Sequence, residues 1–191
     1  MARRLLILIL VSSTLVRIWG INFGLPFTFH FDEPITLYTA FYLAANNLRP
    51  DMFILPMLYP YFMMVILGIY FVLGLTFGLW NSPYRFFVAY VNDPTVFLLL
   101  GRIVTLLVGV ASVFLTYWVG KRVFSERVGL VASFFLGFSF LHVQESHYIN
   151  EDVMMGLFSL GSFYLNFRVA TSGRLRYYAL SGLIIGLAAS L

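Results

Sequence analysis

Two pairs of adjacent carboxylates, Asp32-Glu33 and Glu151-Asp152, are the residues of this sequence best suited to chemistry. Each pair stands between apolar stretches, where a helix is expected to begin. The competing reading is structural. A carboxylate at a helix N-terminus meets the free N–H groups and the dipole, a stabilisation of ~0.3–1 kcal/mol. One acid suffices for that, and both sites carry two. A carboxylate at a membrane boundary is also desolvated, which raises its pKa and makes it a candidate general base. Asp32 is favoured in the first pair, and Asp152, one step nearer the membrane, in the second.

The cations admit the same two kinds of role. Arg102, in "LLLGRIVTLL", either snorkels to the headgroups or pairs with a carboxylate or a lipid phosphate. Arg17, in "LVRIWG", reads as a snorkelling anchor beside Trp19. "HVQESHY" places His142, Glu145 and His147 close together, but it is not H-E-x-x-H and has no further ligand cluster, so no metal site is expected. Hydrogen bonding is the better role for both histidines. No nucleotide loop, nucleophile elbow or glycine-rich phosphate cradle is present, and the glycines inside apolar runs serve close helix packing.

The elements that must position these groups follow from composition. Of 191 residues 61% are hydrophobic and 10% charged, with a mean hydropathy of +0.90. A soluble domain would carry about 25% charge, so a membrane protein is the class that fits. The net charge of +4 is dispersed, and nothing points to nucleic acid. Cysteine is absent, which removes disulfides, thiolate metal sites and thiol nucleophiles together. The N-terminus runs apolar through "RIWGI" without a small-residue cleavage site and reads as an uncleaved anchor.

Six apolar segments stand out: Leu5–Ile21, Ile54–Trp80, Ile103–Gly120, Val128–Leu141, Val153–Phe167 and Tyr177–Leu191. Hydropathy alone makes all six transmembrane; charge disagrees. Arg3 and Arg4 place the N-terminus in the cytoplasm, as do Lys121, Arg122 and Arg127 for the loop that holds them. An even number of crossings must separate these clusters. Ile54–Trp80, with its prolines and glycines, is therefore expected to bend along the outer leaflet rather than span. Arg168, Arg174 and Arg176 then also fall inside. Asp32, Glu33, Asp51, Asp93, Glu145, Glu151 and Asp152 fall outside, and Glu126 alone inside. "DEPITLYTAFYLAANN" reads as an interfacial helix with Asp32 or Glu33 as its cap and Pro34 in its first turn. The expectation is one all-α polytopic bundle of about five spans, with juxtamembrane or re-entrant helices in an outer loop at about residues 22–100. The chain is read as the N-terminal part of one domain, ending inside its last helix.

"RIWGINFGLPFTFHFDEP", "MLYPYFMMVILGIYFVLG" and the stretch from "LLLGRIVTLL" through "KRVFSERVG" to "HVQESHYINEDVMM" together resemble the N-terminal part of a GT-C fold glycosyltransferase. The nearest branch is that of protein O-mannosyltransferases, the lipid A aminoarabinose transferase and bacterial Rgt-like sugar transferases. The resemblance implies transfer of a sugar from a polyprenyl-phosphate carrier to a hydroxyl of protein, lipid or glycan at the outer face of a membrane, with inversion; loop style leans toward a bacterial plasma membrane, with archaeal origin left open. It implies Asp32 as base, with Glu33 and Asp152 as further catalytic acids. Arg102, Glu151, His147, Tyr59 and His30 are implied to contact substrate. Glu151 stands where relatives often carry a small residue or proline, which leaves the division of roles between Glu151 and Asp152 open. No cofactor is called for, and a divalent metal is left open. Two other classes compete: a secondary transporter or channel, whose acids would line a mid-bilayer path, and a non-catalytic bundle in which the acidic pairs only cap helices.

Overall fold

A computed structural model describes residues 2–50 and 56–191. Asp51 and the start of the segment expected at Ile54–Trp80 lie outside the described residues. Those residues form nine helices and no strand: α1 (Ala2–Ile18), α2 (Asp32–Ala45), α3 (Leu58–Thr76), α4 (Pro83–Asn92), α5 (Thr95–Val123), α6 (Glu126–Phe138), α7 (Phe140–Glu145), α8 (Asp152–Ser172) and α9 (Leu175–Ala189). The helical bundle expected from composition is what the chain adopts.

α5 is the central mast. At about 1.5 Å per residue its 29 residues reach roughly 43 Å, more than the hydrocarbon thickness. Glycines let its neighbours approach. A Cβ at Gly101 would overlap the Ile149 side chain, one at Gly109 would lie 2.6 Å from Ser146 Oγ, and one at Gly120 would lie 2.7 Å from the Gly129 Cα. The last contact closes the α5–α6 hairpin, whose second helix begins where Ser125 Oγ accepts the Val128 N–H at 3.3 Å. The packing role expected of the glycines holds at these positions.

Contacts along the mast fix direction. Arg17 of α1 lies against Gly109, and Ser13, one turn earlier, meets Gly137, which also touches Val113. α1 therefore runs antiparallel to α5. Along α8 the order is parallel: Ile149, just before it, meets Gly101, and Tyr164 meets Trp118 at 4.6 Å. α9 folds back on α8, with Ser181 Oγ donating to Asn166 Oδ1 at 2.9 Å. The bundle thus has an Arg102 end and a Lys121 end, with the three basic clusters at the latter.

The end of α1 and the start of α5 are also joined directly, because Arg102 donates to the carbonyls of Ile21 and Phe23. What lies between them returns to the end of the bundle that it left. By length and composition α3 is apolar enough to cross a membrane, as are α5 and α8 among the described residues. Its contacts with α5 nevertheless climb away from the Lys121 end: Tyr59 meets Thr105, Met63 meets Gly101 and Tyr70 meets Phe97. A single crossing by α3 would put Phe23 and Arg102 at opposite ends. A cluster of rings from α2, α3, α4 and α5, including Phe41, Tyr70, Phe86 and Phe97, fixes this excursion at the Arg102 end.

Two details differ from the sequence reading. The stretch expected at Val128–Leu141 breaks at Ser139, whose extended backbone separates α6 from α7. Residues 83–92 form α4, started by Pro83 and by Ser82 accepting the Arg85 N–H, where no helix was expected.

Candidate functional site

Glu33 and Arg102 are the pivot of the Arg102 end. Their side chains are 0% and 1% exposed. Arg102 donates Nε–H to Glu33 Oε1 at 2.7 Å and Nη2–H to Oε2 at 2.8 Å, the forked geometry that guanidinium and carboxylate share. Its Nη1 reaches the two carbonyls beyond α1, each at 2.9 Å. The Ile149 N–H completes the set by donating to Glu33 Oε1 at 3.3 Å. One ion pair therefore ties together the exit of α1, the start of α2, the start of α5 and the loop before α8.

That arrangement corrects several expectations. Glu33 does not cap α2; the backbone N–H of Asp32 instead donates to His30 Nδ1 at 3.4 Å, and neither acid makes a side-chain cap. Both Glu33 oxygens are engaged, and the side chain is fully buried. Arg102 does not snorkel: it is buried, with Nε, Nη1 and Nη2 all engaged. Tyr59 is equally enclosed, 1% exposed, with its hydroxyl 2.9 Å from Thr105 Oγ1.

The carboxylates left open are Asp32, Glu151 and Asp152. Asp32 is about a quarter exposed, with His30 Nδ1 3.7 Å from its Oδ2. Glu151 is half-buried and Asp152 exposed at the first turn of α8. Burial pushes the Glu151 carboxyl above the ordinary carboxylate range, and the charges of Asp32 and Asp152 push it the same way, while its own backbone hydrogen bond and His30 pull it down. Acids almost 120 positions apart in sequence thus share one electrostatic neighbourhood. Among the described residues no group of three or more His, Asp or Glu side chains is arranged to hold a metal ion.

The loop before α8 is held at each step. Ser146 Oγ accepts from Arg17 Nε at 3.3 Å, and His147 Nε2–H donates to the Trp19 carbonyl at 2.9 Å. Tyr148 stacks on His30 at 4.9 Å and lies 5.9 Å from the Arg102 guanidinium. Asn150 donates to the Glu145 carboxylate. His30 thus borders the open acids, while His147 is tied to the exit of α1.

Sequence reasoning missed the second arginine node. Arg17 is not a snorkelling anchor: it is fully buried and directs Nη1 to the Ser13 and Gly137 carbonyls and to Ser13 Oγ. Its Nη2 donates to His142 Nδ1 at 2.8 Å, so that ring is neutral with its proton on Nε2. Burial and the Arg17 charge hold the His142 pKa down at about 4. Ser13 and Arg17, four apart on one helix face, were the available signal. The hydrogen-bonding role expected of His142 and His147 holds.

Residues 96–190 match the family model of the dolichyl-phosphate-mannose-protein mannosyltransferases. No characterised protein and no solved structure gives a match. The family match and the all-helical fold support a GT-C glycosyltransferase-like relationship, as the residues quoted above had suggested, and with the apolar helices they make this an integral membrane protein.

Proposed function

We propose that this chain carries the acceptor-activating part of a membrane glycosyltransferase, which moves a sugar from a polyprenyl-phosphate carrier to a hydroxyl with inversion. The observation that carries the proposal is the convergence of Asp32, Glu151 and Asp152 at one end of the bundle, held there by the buried Glu33–Arg102 pair. The family match supplies the reaction class.

The chemistry runs as a single displacement. Asp32 removes the acceptor hydroxyl proton, the resulting oxygen attacks the anomeric carbon, and the bond from that carbon to the phosphate oxygen breaks. The electron pair leaves with the polyprenyl phosphate, a good leaving group that needs no dedicated acid. Asp32 suits the base because it is partly desolvated yet reachable, and no arginine ties it down. Asp152 and Glu151 line the acceptor side, His30 donates its Nε2–H to sugar or acceptor oxygens, and Glu33, Arg102, Tyr59 and His147, whose Nε2–H is held by the Trp19 carbonyl, position. A cavity of about 470 Å³ between α2, α3 and α4, walled by Phe41, Leu67, Phe71 and Phe86, is apolar and holds no carboxylate. It is a seat for carrier hydrocarbon rather than for the reaction.

In this reading the Lys121 end faces the cytoplasm of a bacterial cell and the Arg102 end the outside, an orientation the basic clusters support. α3 then stays with the outer leaflet. The test is Asp32→Asn in the full-length protein, assayed for transfer from a polyprenyl-phosphate sugar. Transfer is expected to disappear while insertion and melting stay as in the parent. Undiminished transfer would remove Asp32 from the mechanism.

A further inference from the structure

At the other end of the bundle the turn between α8 and α9 gathers positive charge without an answer. The Tyr177 hydroxyl accepts from Arg168 Nη2 at 2.9 Å and from Arg176 Nη2 at 3.0 Å. The same two guanidiniums lie 5.0 and 4.8 Å from its ring. Arg174, exposed, caps α9 one helical position before Leu175. No Asp or Glu follows Asp152 anywhere in the sequence, and among the described residues none of these arginines makes an ion pair. The Arg168 Nε–H is buried without an acceptor.

Two cations converging on one neutral oxygen repel each other, and a phenol provides no charge to offset that. The grouping continues across the bundle. Tyr164, one turn before Arg168, meets Trp118, and Trp118 carries Arg122 at 5.2 Å over its ring. Arginines and rings therefore alternate around the Lys121 end of α5, α8 and α9, with Leu175 82% and Tyr178 53% exposed beside them. Trp and Tyr settle where hydrocarbon meets headgroup, and arginine forks fit phosphate oxygens.

We propose that Arg168, Arg176 and Tyr177, flanked by Arg174 and Arg122, form a binding site for the phosphate of an anionic phospholipid in the leaflet at the Lys121 end. The phosphodiester supplies the missing negative charge between the guanidiniums, and its acyl chains lie along the exposed apolar side chains of the turn. A lipid is favoured over a free anion because the turn joins two apolar helices and presents leucine and tyrosine with the arginines. The site is distinct from the acidic cluster and does not depend on the function proposed for it.

Trp118 makes it measurable. With Trp19→Phe and Trp80→Phe leaving Trp118 as the one indole, quenching by brominated phosphatidylglycerol is compared with that by brominated phosphatidylcholine in bilayers holding the full chain. The parent is expected to prefer the anionic lipid. Arg168→Gln with Arg176→Gln is expected to cut that preference by up to about fivefold per arginine, the effect of one basic residue near an anionic surface. The Arg168→Lys, Arg176→Lys pair, which keeps the charge and controls for folding, is expected to retain most of it. Millimolar inorganic phosphate should leave the preference intact. An unchanged preference in the glutamine pair would overturn the site, and full displacement by inorganic phosphate would overturn the lipid as its ligand.

Discussion

Removing Arg102 tests the pivot of the structure most severely. Arg102→Met leaves Glu33 completely buried with the Ile149 N–H as its one remaining partner, and strips the Ile21 and Phe23 carbonyls of their donor. Breaking a buried pair from one side costs about 3–5 kcal/mol, because the uncompensated charge stays behind. Glu33→Met strands the guanidinium, which keeps two carbonyls, and should fall in the same range. The double substitution removes both charges and fills the space with apolar volume, so its cost should lie well below the sum of the two. A coupling of about 2–4 kcal/mol is expected. The assay is a double-mutant cycle on reversible unfolding in mixed micelles. The same four proteins, tested for sugar transfer, should all lose it except the parent, since the double variant regains stability without regaining the tie between α2 and the loop before α8. Additivity within about 0.5 kcal/mol would refute the reasoning, because it would mean the two residues do not depend on each other.

Other outcomes follow from the same geometry. Gly120→Ala forces a Cβ to 2.7 Å from the Gly129 Cα and should lower stability by about 1–3 kcal/mol, whereas Gly182→Ala meets nothing within 4 Å and should be neutral or stabilising; melting of both variants checks the contrast. His142 is buried neutral with its pKa lowered from 6.5 to about 4, so the unfolded chain takes up a proton that the folded chain refuses. Stability contributed by the neutral ring is complete above about pH 6.5 and is lost as pH falls toward 4; a melting series over that window should show the decline, and His142→Gln should flatten it. Swapping Asp152 for Asn is expected to reduce transfer while leaving the unfolding curve within about 0.5 kcal/mol of the parent, as suits an exposed residue; a large stability loss would assign it to capping instead.

The all-helical class was legible in composition, and the helix positions in hydrophobic runs bounded by charge. The expectation that Ile54–Trp80 stays at the outer leaflet came from the basic clusters, since Arg3, Arg4 and the Lys121 loop on one side call for an even count of crossings; α3 is nonetheless long and apolar enough to cross. α4 was not legible: "PYRFFVAYVN" is short, and its start depends on Ser82 and Pro83 rather than on a long apolar run. Asp32 and Glu33 were visible as a pair, but their different fates were not. Adjacent helix residues point about 100° apart, so one turns toward Arg102 and the other toward the open rim, and nothing in a single sequence says which. Arg17 was misread for a similar reason. A terminal arginine beside tryptophan has the appearance of an anchor until Ser146 and His142, more than 120 positions away, come to it.

The central claim is that the two acidic turns share one face of the membrane and the arginine clusters the other. The chain has no cysteine of its own, so single replacements at Asp32, Asp152, Arg122 and Arg174 can be probed in intact cells with a membrane-impermeant thiol reagent. Positions 32 and 152 should react from outside, and 122 and 174 only after the membrane is opened. Labelling of 32 and 152 from opposite sides would contradict the account.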